Sequence, residues 1–189
     1  MNKFNSQNNI RSNDYISKQI SKTLIVAGGC FWGLQKYYSM VKGVIETTVG
    51  YSGGDKKFPK YEEVCAEVTG HTEAVIIKYD PEKTNIPKLL DHFFFIVDPT
   101  TLNYQKNDYG THYRSALFYN DNNEKKLIED YIQNIQKNYK NKIVVELIPA
   151  KEFWAAENYH QDYLNKNPYG YCHITYKHFN RIKEIDEMI

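Results

Sequence analysis

The chain is poor in cysteine, methionine and proline. Its 189 residues include only three cysteines, three methionines and six prolines. The cysteines, Cys30, Cys65 and Cys172, are too few for the disulfide framework of a small secreted domain. They also lack the paired spacing of a structural zinc site, and no histidine pair or carboxylate spacing indicates another metal. A functional cysteine in this chain would therefore act as a thiol, without a metal.

The chain also lacks an excess of charge and a long apolar run. Its 24 Lys and Arg nearly balance its 23 Asp and Glu, which leaves a net charge of +1. Such a balance creates no field that would attract nucleic acid or an anionic membrane. The longest unbroken apolar run covers residues 93–97, far short of a membrane span. We expect neither nucleic acid nor a membrane as a partner.

The first residues have no apolar segment of the kind found in secretion signals. Residues 1–22 are rich in Asn, Ser and Lys, and this composition predicts a disordered N-terminal tail. The remainder, 23–189, has ordinary globular composition and the length of a single domain. We therefore predict one domain over 23–189 in a cytoplasmic, monomeric protein.

Aromatic residues, in contrast, are abundant. The chain has 17 Tyr, 9 Phe and 2 Trp, and these make up 15% of its residues. A single core of this size cannot enclose so many rings. We expect some of them to line a cleft.

The apolar periodicity predicts the order of the secondary structure. The predicted strands are 23–27, 44–51, 73–79, 115–119 and 143–148, and the predicted helices are 31–41, 87–97, 121 to about 140, and 152–165. Long polar loops occupy 52–72 and 100–114. The first elements follow the order β-α-β-β-α-β of a ferredoxin-like fold. The prediction is an α/β two-layer sandwich of this kind with a mixed sheet, extended by a C-terminal strand and helix and an irregular tail.

Cys30 occupies the position where a reactive thiol is expected. It follows the first strand and the pair Gly28-Gly29, and it directly precedes the first helix. The positive end of a helix dipole favours a thiolate, which is the nucleophilic form of cysteine. A cysteine at such a turn can also be a small buried hydrophobe, so the turn alone favours a catalytic role only modestly.

Five segments of the chain, in order, carry distinctive motifs. The first is Ala-Gly-Gly-Cys-Phe-Trp-Gly at 27–33. The others are Pro-Lys-Tyr-Glu-Glu-Val-Cys at 59–65, Gly-His-Thr-Glu-Ala-Val at 70–75, Asn-Asp-Tyr-Gly-Thr-His-Tyr-Arg-Ser at 107–115 and Lys-Asn-Pro-Tyr-Gly-Tyr-Cys at 166–172. Together they resemble the motifs of the A-type peptide methionine sulfoxide reductases, which act on the S epimer. Their occurrence in the family's order, over most of the chain, makes a chance match very improbable.

The resemblance implies a role for each residue of the site. Cys30 is the implied nucleophile, and Glu73 is the implied proton donor. A carboxyl that donates a proton near neutral pH needs a raised pKa, which burial among aromatic rings would supply. The substrate-binding set implied by the family consists of Phe31 and Trp32 around the methyl group, Tyr61 and Tyr113 at the oxygen, and Asp108 orienting the substrate or its loop.

The resemblance also implies how the enzyme is recycled. Attack by Cys30 leaves a sulfenic acid, which Cys172 condenses with to form a Cys30–Cys172 disulfide. Thioredoxin, or another external dithiol, then reduces this disulfide, so that no bound cofactor is needed. The implied partners are thioredoxin and oxidised proteins or peptides that carry methionine sulfoxide. Cys65 has no catalytic counterpart and is assigned to structure.

Three positions depart from the family pattern. Lys106 stands where glycine is usual, His112 where glutamine is common, and Val97 where histidine often occurs, so loop geometry and substrate preference could differ.

Two functions of other classes are alternatives for this chain. One alternative is a cysteine hydrolase or acyltransferase in which His71 or His160 activates Cys30. The other is a peptide-binding module with an aromatic cleft and no catalysis.

Overall fold

The computed structural model describes residues 20–188 of the chain. The strands are β1 Lys22–Ala27, β2 Val44–Ser52, β3 Thr72–Tyr79, β4 Tyr104–Gln105, β5 Asp108–Tyr109, β6 Ala116–Tyr119, β7 Glu146–Pro149 and β8 Phe153–Ala155. The helices are α1 Phe31–Tyr38, α2 Tyr61–Cys65, α3 Ile86–Ile96, α4 Asn122–Gln136, α5 Tyr163–Lys166, α6 Tyr176–Asn180 and α7 Ile182–Glu187. The tail predicted over 1–22 lies almost entirely outside the described residues.

Six strands form one mixed sheet in the order β7-β6-β1-β3-β2-β8. The pairs β1–β3, β1–β6, β2–β3 and β2–β8 are antiparallel, and only β6–β7 is parallel. β4 and β5 form a separate two-stranded hairpin. The prediction of an α/β domain with a mixed sheet is therefore correct.

The large core lies on one face of the sheet. Because side chains alternate along a strand, β3 directs Val75, Ile77 and Tyr79 into this core, and Ala74 faces the opposite side. Rings and aliphatic side chains from α1 and α3 complete the core. Glu73 lies near the start of β3 and points to the same side of the sheet as Val75, so its carboxyl enters the helix-covered side, where the site is built.

The C-terminal third differs most from the sequence prediction. The helix predicted over 152–165 is wrong: Phe153–Ala155 form strand β8, turns follow, and only Tyr163–Lys166 are helical. β8 pairs with the free edge of β2, an interaction that local periodicity cannot reveal. The predicted irregular tail also contains two short helices, α6 and α7.

Smaller differences concern the ends of elements and the loops. α1 and α4 end earlier than predicted, at Tyr38 and Gln136, and the predicted loop 52–72 contains α2. The loop 100–114 contains the β4–β5 hairpin and a 3-10 turn at Thr111–Tyr113. The last predicted strand is displaced, from 143–148 to Glu146–Pro149. A proline is accepted there because β7 is an edge strand.

No helix within residues 20–188 is long and apolar enough to cross a lipid bilayer.

Candidate active site

The turn that carries Cys30 is held by two carboxyl groups from distant segments. Gly29 has a left-handed φ of 78°, which ends β1 and turns the chain into α1 with Cys30 at the N-cap position. The Cys30 N–H donates to Asp108 Oδ2 at 3.3 Å, and the Phe31 N–H donates to Glu73 Oε2 at 2.9 Å. The first N–H groups of the helix are thus satisfied by acid side chains.

The expectation that the helix terminus favours a thiolate at Cys30 is wrong for the substrate-free protein. Cys30 is 5% exposed, and its burial raises the pKa of the thiol well above the ordinary value. The nearby Glu73 and Asp108 raise this pKa further, and hydrogen bonds from the Trp32 and Gly33 backbone only partly oppose them. The thiol is therefore protonated before substrate binds, because burial and negative neighbours outweigh the helix terminus.

Glu73 has the raised pKa that the sequence predicts for a proton donor. Its side chain is buried near the start of β3, where 1% of the residue is exposed. Burial raises the pKa of Glu73 to about 8, with a smaller contribution from Asp108, and the Phe31 N–H acts in the opposite direction. The carboxyl is consequently neutral at pH 7 and can donate a hydrogen bond or a proton.

The two predicted tyrosines come from different elements and meet around Glu73. Tyr61 begins α2, and Tyr113 ends the 3-10 turn after β5. Burial, followed by other nearby acidic groups including Glu73, raises the pKa of both phenols, so both keep their protons. The Cys65 thiol, one helical turn from Tyr61, also raises the pKa of Tyr61.

Phe31 and Trp32 form an aromatic wall beside the nucleophile turn. Phe31 is fully buried and lies 6.0 Å from the Tyr51 ring, whereas Trp32 is partly exposed. The Trp32 ring stacks on Tyr163 at 3.8 Å between centroids, and its Nε1 donates to His160 Nδ1 at 3.1 Å. Stacking and hydrogen bonding together fix the indole in one orientation.

The segment that contains Cys172 packs against the start of α1. The Tyr171 hydroxyl donates to Asp108 Oδ1 at 2.6 Å, and so Asp108 links this segment to the Cys30 backbone. Cys172 Sγ lies 3.2 Å from the position a Cβ would take on Gly33. All three cysteines are free, and burial raises the pKa of Cys172. The fold therefore brings both predicted redox thiols to the first turn of α1 in their reduced form.

Comparison with known proteins agrees with this geometry. A family model described as peptide methionine sulfoxide reductase matches residues 22–187. The chain belongs to the peptide methionine sulfoxide reductase family. It is 52% identical over 153 residues to the enzyme MsrA of Clostridium botulinum strain Okra, an alignment that covers 81% of this chain and 98% of that protein. The chain is thus an oxidoreductase of methionine sulfoxide, as the sequence resemblance implies.

Two solved structures of Mxr1 from Saccharomyces cerevisiae are similar to this reductase. The reduced form is 38% identical with a TM-score of 0.75, and the match covers 80% of this chain and 88% of that one. The complex of Mxr1 with Trx2 is 28% identical with a TM-score of 0.55, and covers 76% of this chain and 84% of that one. These matches place the mixed sheet and its helices in the family's fold.

The sequence analysis of this reductase missed several residues that support the site. Glu157 accepts hydrogen bonds from the Tyr51 hydroxyl at 2.7 Å and from the Tyr61 N–H at 3.1 Å. His160 and Tyr163 support the site through Trp32, as described above. The three residues fall in the segment predicted as a helix over 152–165, whereas in the structure they lie in the loop before α5, in a turn and at the start of α5.

The two histidines that the hydrolase alternative names are engaged elsewhere. His71 is used structurally: its ring nitrogens bond the Gly54 N–H and the Lys56 carbonyl. His160 Nδ1 accepts the hydrogen bond from Trp32 Nε1. The side chains with the largest effect on the pKa of the Cys30 thiol are the acids Glu73 and Asp108. Neither His71 nor His160 is therefore placed as the activating base of a cysteine hydrolase.

The three departures from the family pattern have local explanations. Lys106 has a left-handed φ of 54° in the β4–β5 turn, a conformation that glycine adopts without strain. His112 is buried beside the Tyr113 ring, with Nδ1 3.4 Å from Glu67. Val97 fills the space over Gly28, where an added Cβ would lie 2.7 Å from its methyl carbon.

Proposed function

We propose that this reductase acts on methionine-(S)-sulfoxide, free or within proteins, with Cys30 as nucleophile and Glu73 as proton donor. The observation that carries the proposal is the 2.9 Å hydrogen bond from the Phe31 N–H to Glu73 Oε2. It joins the backbone of the nucleophile turn to a carboxyl whose pKa of about 8 keeps it protonated at pH 7. A buried neutral acid beside a thiol suits a reaction in which an oxygen must be protonated as sulfur is attacked.

The chemistry conserves protons and electrons. The Cys30 sulfur attacks the sulfoxide sulfur while Glu73 protonates the sulfoxide oxygen, and the thiol proton restores Glu73. The attack forms an S–S bond, and the protonated oxygen then moves from the substrate sulfur to the Cys30 sulfur as that bond breaks. Methionine leaves and Cys30 becomes a sulfenic acid, so that the sulfoxide is reduced and the thiol oxidised. Because the free thiol is protonated, we expect it to lose its proton only when the substrate oxygen can receive one.

Substrate recognition is proposed for five further residues. Phe31 and Trp32 would receive the methyl group, Tyr61 and Tyr113 would donate hydrogen bonds to the oxygen, and Asp108 would orient the substrate. The support is that both phenols keep their protons and that the indole is held by His160 and Tyr163. A rigid apolar wall opposite fixed donors distinguishes the two epimers, because only one presents methyl and oxygen correctly.

Regeneration is proposed to use Cys172 and then thioredoxin. Cys172 would condense with the Cys30 sulfenic acid, and thioredoxin would reduce the resulting Cys30–Cys172 disulfide. Two observations support this. A related yeast structure is a complex with Trx2. An apolar depression also lies beside Cys172, with Met40 and Tyr176 exposed on its rim.

Organisation and location are proposed from composition and topology. We propose that 23–189 form a single catalytic domain; the tail predicted over 1–22 lies almost entirely outside the described residues. The order β6-β1-β3-β2 with antiparallel pairs supports a ferredoxin-like description of the central sheet. We also propose a cytoplasmic monomer without bound cofactor, and the small number of scattered cysteines supports the cytoplasmic location. Sedimentation at several protein concentrations tests the monomer, with about 22.3 kDa expected.

The roles of the two thiols are tested by reductant-free single turnover with a sulfoxide dipeptide. The wild type is expected to form one methionine per protein from the S epimer only, and to lose Cys30 and Cys172 as free thiols. Cys30→Ser is expected to form none. Cys172→Ser is expected to keep the single turnover and lose thioredoxin-supported multiple turnover, with Cys65→Ser as the matched control. Full multiple turnover by Cys172→Ser, or reduction of the R epimer, would contradict the proposal.

A further inference from the structure

His173 follows Cys172 and is buried between the catalytic turn and the hairpin loop. Its side chain is 1% exposed. The Nε2 atom lies 2.9 Å from the position that a Cβ would take on Gly29, and Nδ1 lies 3.2 Å from the corresponding position on Gly33. The imidazole therefore occupies the surface that two glycines leave open on either side of Cys30.

The same surface also receives the resolving sulfur. Cys172 Sγ lies 3.2 Å from the Cβ position on Gly33, the same point that His173 Nδ1 approaches. Ring and thiol therefore rest together on the first turn of α1. Any movement of the ring away from Gly29 and Gly33 would carry the adjoining Cys172 away from Cys30.

The ring contributes mainly contact, with weak polar interactions toward the Gly28 backbone and Asp108. Neither Nδ1 nor Nε2 has a hydrogen-bond partner of good geometry within residues 20–188. Nδ1 faces Asp108 Oδ2 at 3.6 Å, beyond hydrogen-bond distance. Asp108 is also the carboxylate that accepts the Cys30 N–H and the Tyr171 hydroxyl. The segment around Cys172 is thus attached to the nucleophile turn through Tyr171 on one side and the His173 ring on the other.

We propose that His173 is a positioning residue for the second half of the reaction, in which the Cys30–Cys172 disulfide forms. In that step the Cys172 sulfur attacks the sulfenic sulfur of Cys30. The S–S bond forms, the S–O bond breaks, and the hydroxyl leaves as water with the proton of the Cys172 thiol. By seating the Cys172 segment on the glycine surface, the ring raises the effective concentration of the resolving thiol. This inference rests on the proposed roles of Cys30 and Cys172.

The test measures how the sulfenic acid partitions. Reduced protein is mixed with a sulfoxide dipeptide and a fixed concentration of dimedone, which traps sulfenic acids. Mass spectrometry then gives the ratio of Cys30–dimedone adduct to Cys30–Cys172 disulfide. This ratio is independent of the rate of the first step and of the fraction of folded protein. For His173→Ala we expect the ratio to rise at least tenfold, and a smaller rise would overturn the inference.

A second variant leaves His173 intact. Gly33→Ala adds a methyl group where Cys172 and His173 rest, and alanine is favourable within a helix. We expect its adduct ratio to rise as well, and an unchanged ratio would contradict the inference. The matched control is His71→Ala, another buried histidine that lies in the loop before β3. A comparable rise in this control would show that general loosening is responsible and would overturn the inference.

The outcome also separates this inference from the function on which it rests. If the wild type forms neither methionine nor disulfide, the proposed roles of the two thiols fail. If the wild type forms both, and His173→Ala partitions as the wild type does, only the positioning role fails.

Discussion

At the scale of single residues, the acid chemistry of the site depends on burial. Glu73 and Cys30 are both buried, and each holds its proton more firmly than it would in water. Two neutral groups side by side avoid the repulsion that two charged ones would suffer. In the proposed mechanism, both groups therefore keep their protons until a sulfoxide oxygen arrives to accept one.

The pKa of Glu73 predicts how the first step depends on pH. The protonated carboxyl is the proposed donor, and its pKa is about 8. We expect the single-turnover rate of methionine formation to be steady below this value and to fall as the pH rises above it. In Glu73→Gln we expect the rate to be at least about a hundredfold lower and to show no such fall at high pH. Rapid-quench measurements from pH 6 to 10 test this. A variant whose rate still falls at high pH as the wild-type rate does would contradict the prediction.

Replacing Glu73 with Gln should raise the stability of the protein, although the same substitution lowers the rate of the first step. The unfolded carboxyl has an ordinary pKa, and the folded one has a pKa of about 8. The wild type therefore loses stability as the pH rises from about 4.5 to about 8. Glu73→Gln cannot ionise and should exceed the wild type by about 3 kcal/mol at pH 7. Urea unfolding at pH 5 and pH 8 measures this, with exposed Glu62→Gln as the control, and equal stability at both pH values would contradict it.

At the scale of elements, the segment after β7 shows where periodicity misleads. Residues 152–165 are predicted as a helix, yet β8 pairs through its backbone with β2, about a hundred residues earlier. That pairing satisfies the edge of the sheet and places Glu157 and His160 beside the site. Tertiary pairing outweighs a weak local preference for helix.

The last helix provides a test of how the elements are joined. Asp186 of α7 accepts from His92 Nε2 of α3 at 3.1 Å and from the Lys42 N–H at 3.3 Å. Asp186→Ala leaves the buried His92 without this partner, so we expect a loss of about 1–3 kcal/mol in the free energy of unfolding. Urea denaturation measures it. The control, Glu187→Ala, changes an exposed neighbour, and an equal effect in both variants would show that this contact is not the cause.

At the scale of the whole molecule, the site exists only because the sheet gathers distant segments. Cys30 follows β1, Glu73 is in β3, Asp108 is in the hairpin and Cys172 follows α5. β1 and β3 are neighbours in the sheet, which brings the nucleophile turn to the carboxyl. The loops at that end then enclose both groups.

The near-zero net charge predicts weak dependence on salt. The chain carries +1, so no long-range field steers a neutral substrate toward the cleft. We expect kcat/KM for a neutral sulfoxide dipeptide to change less than about twofold between about 20 mM and 300 mM salt. A tenfold decrease in kcat/KM over this range of salt would show electrostatic steering of the substrate and would contradict the prediction. Steady-state kinetics at constant pH, with the same dipeptide carrying a terminal charge as comparison, measure this.

The sequence alone determined the family, the order of the central elements and the residues gathered around Cys30. These depend on local features: apolar periodicity, the glycine turn before Cys30, and motifs whose side chains lie within a few residues of one another. The position of Cys30 at a glycine turn and the motif that contains Glu73 both follow from such features.

Only the tertiary structure decided the rest. The raised pKa of Cys30 results from burial and from Glu73 and Asp108, which are distant in sequence. The strand β8, the support of Trp32 by His160 and the seat of His173 on Gly29 and Gly33 also arise from contacts between remote segments. A local sequence pattern specifies which side chains each segment contributes to the site. The protonation and orientation of those side chains depend on the surroundings that the fold provides.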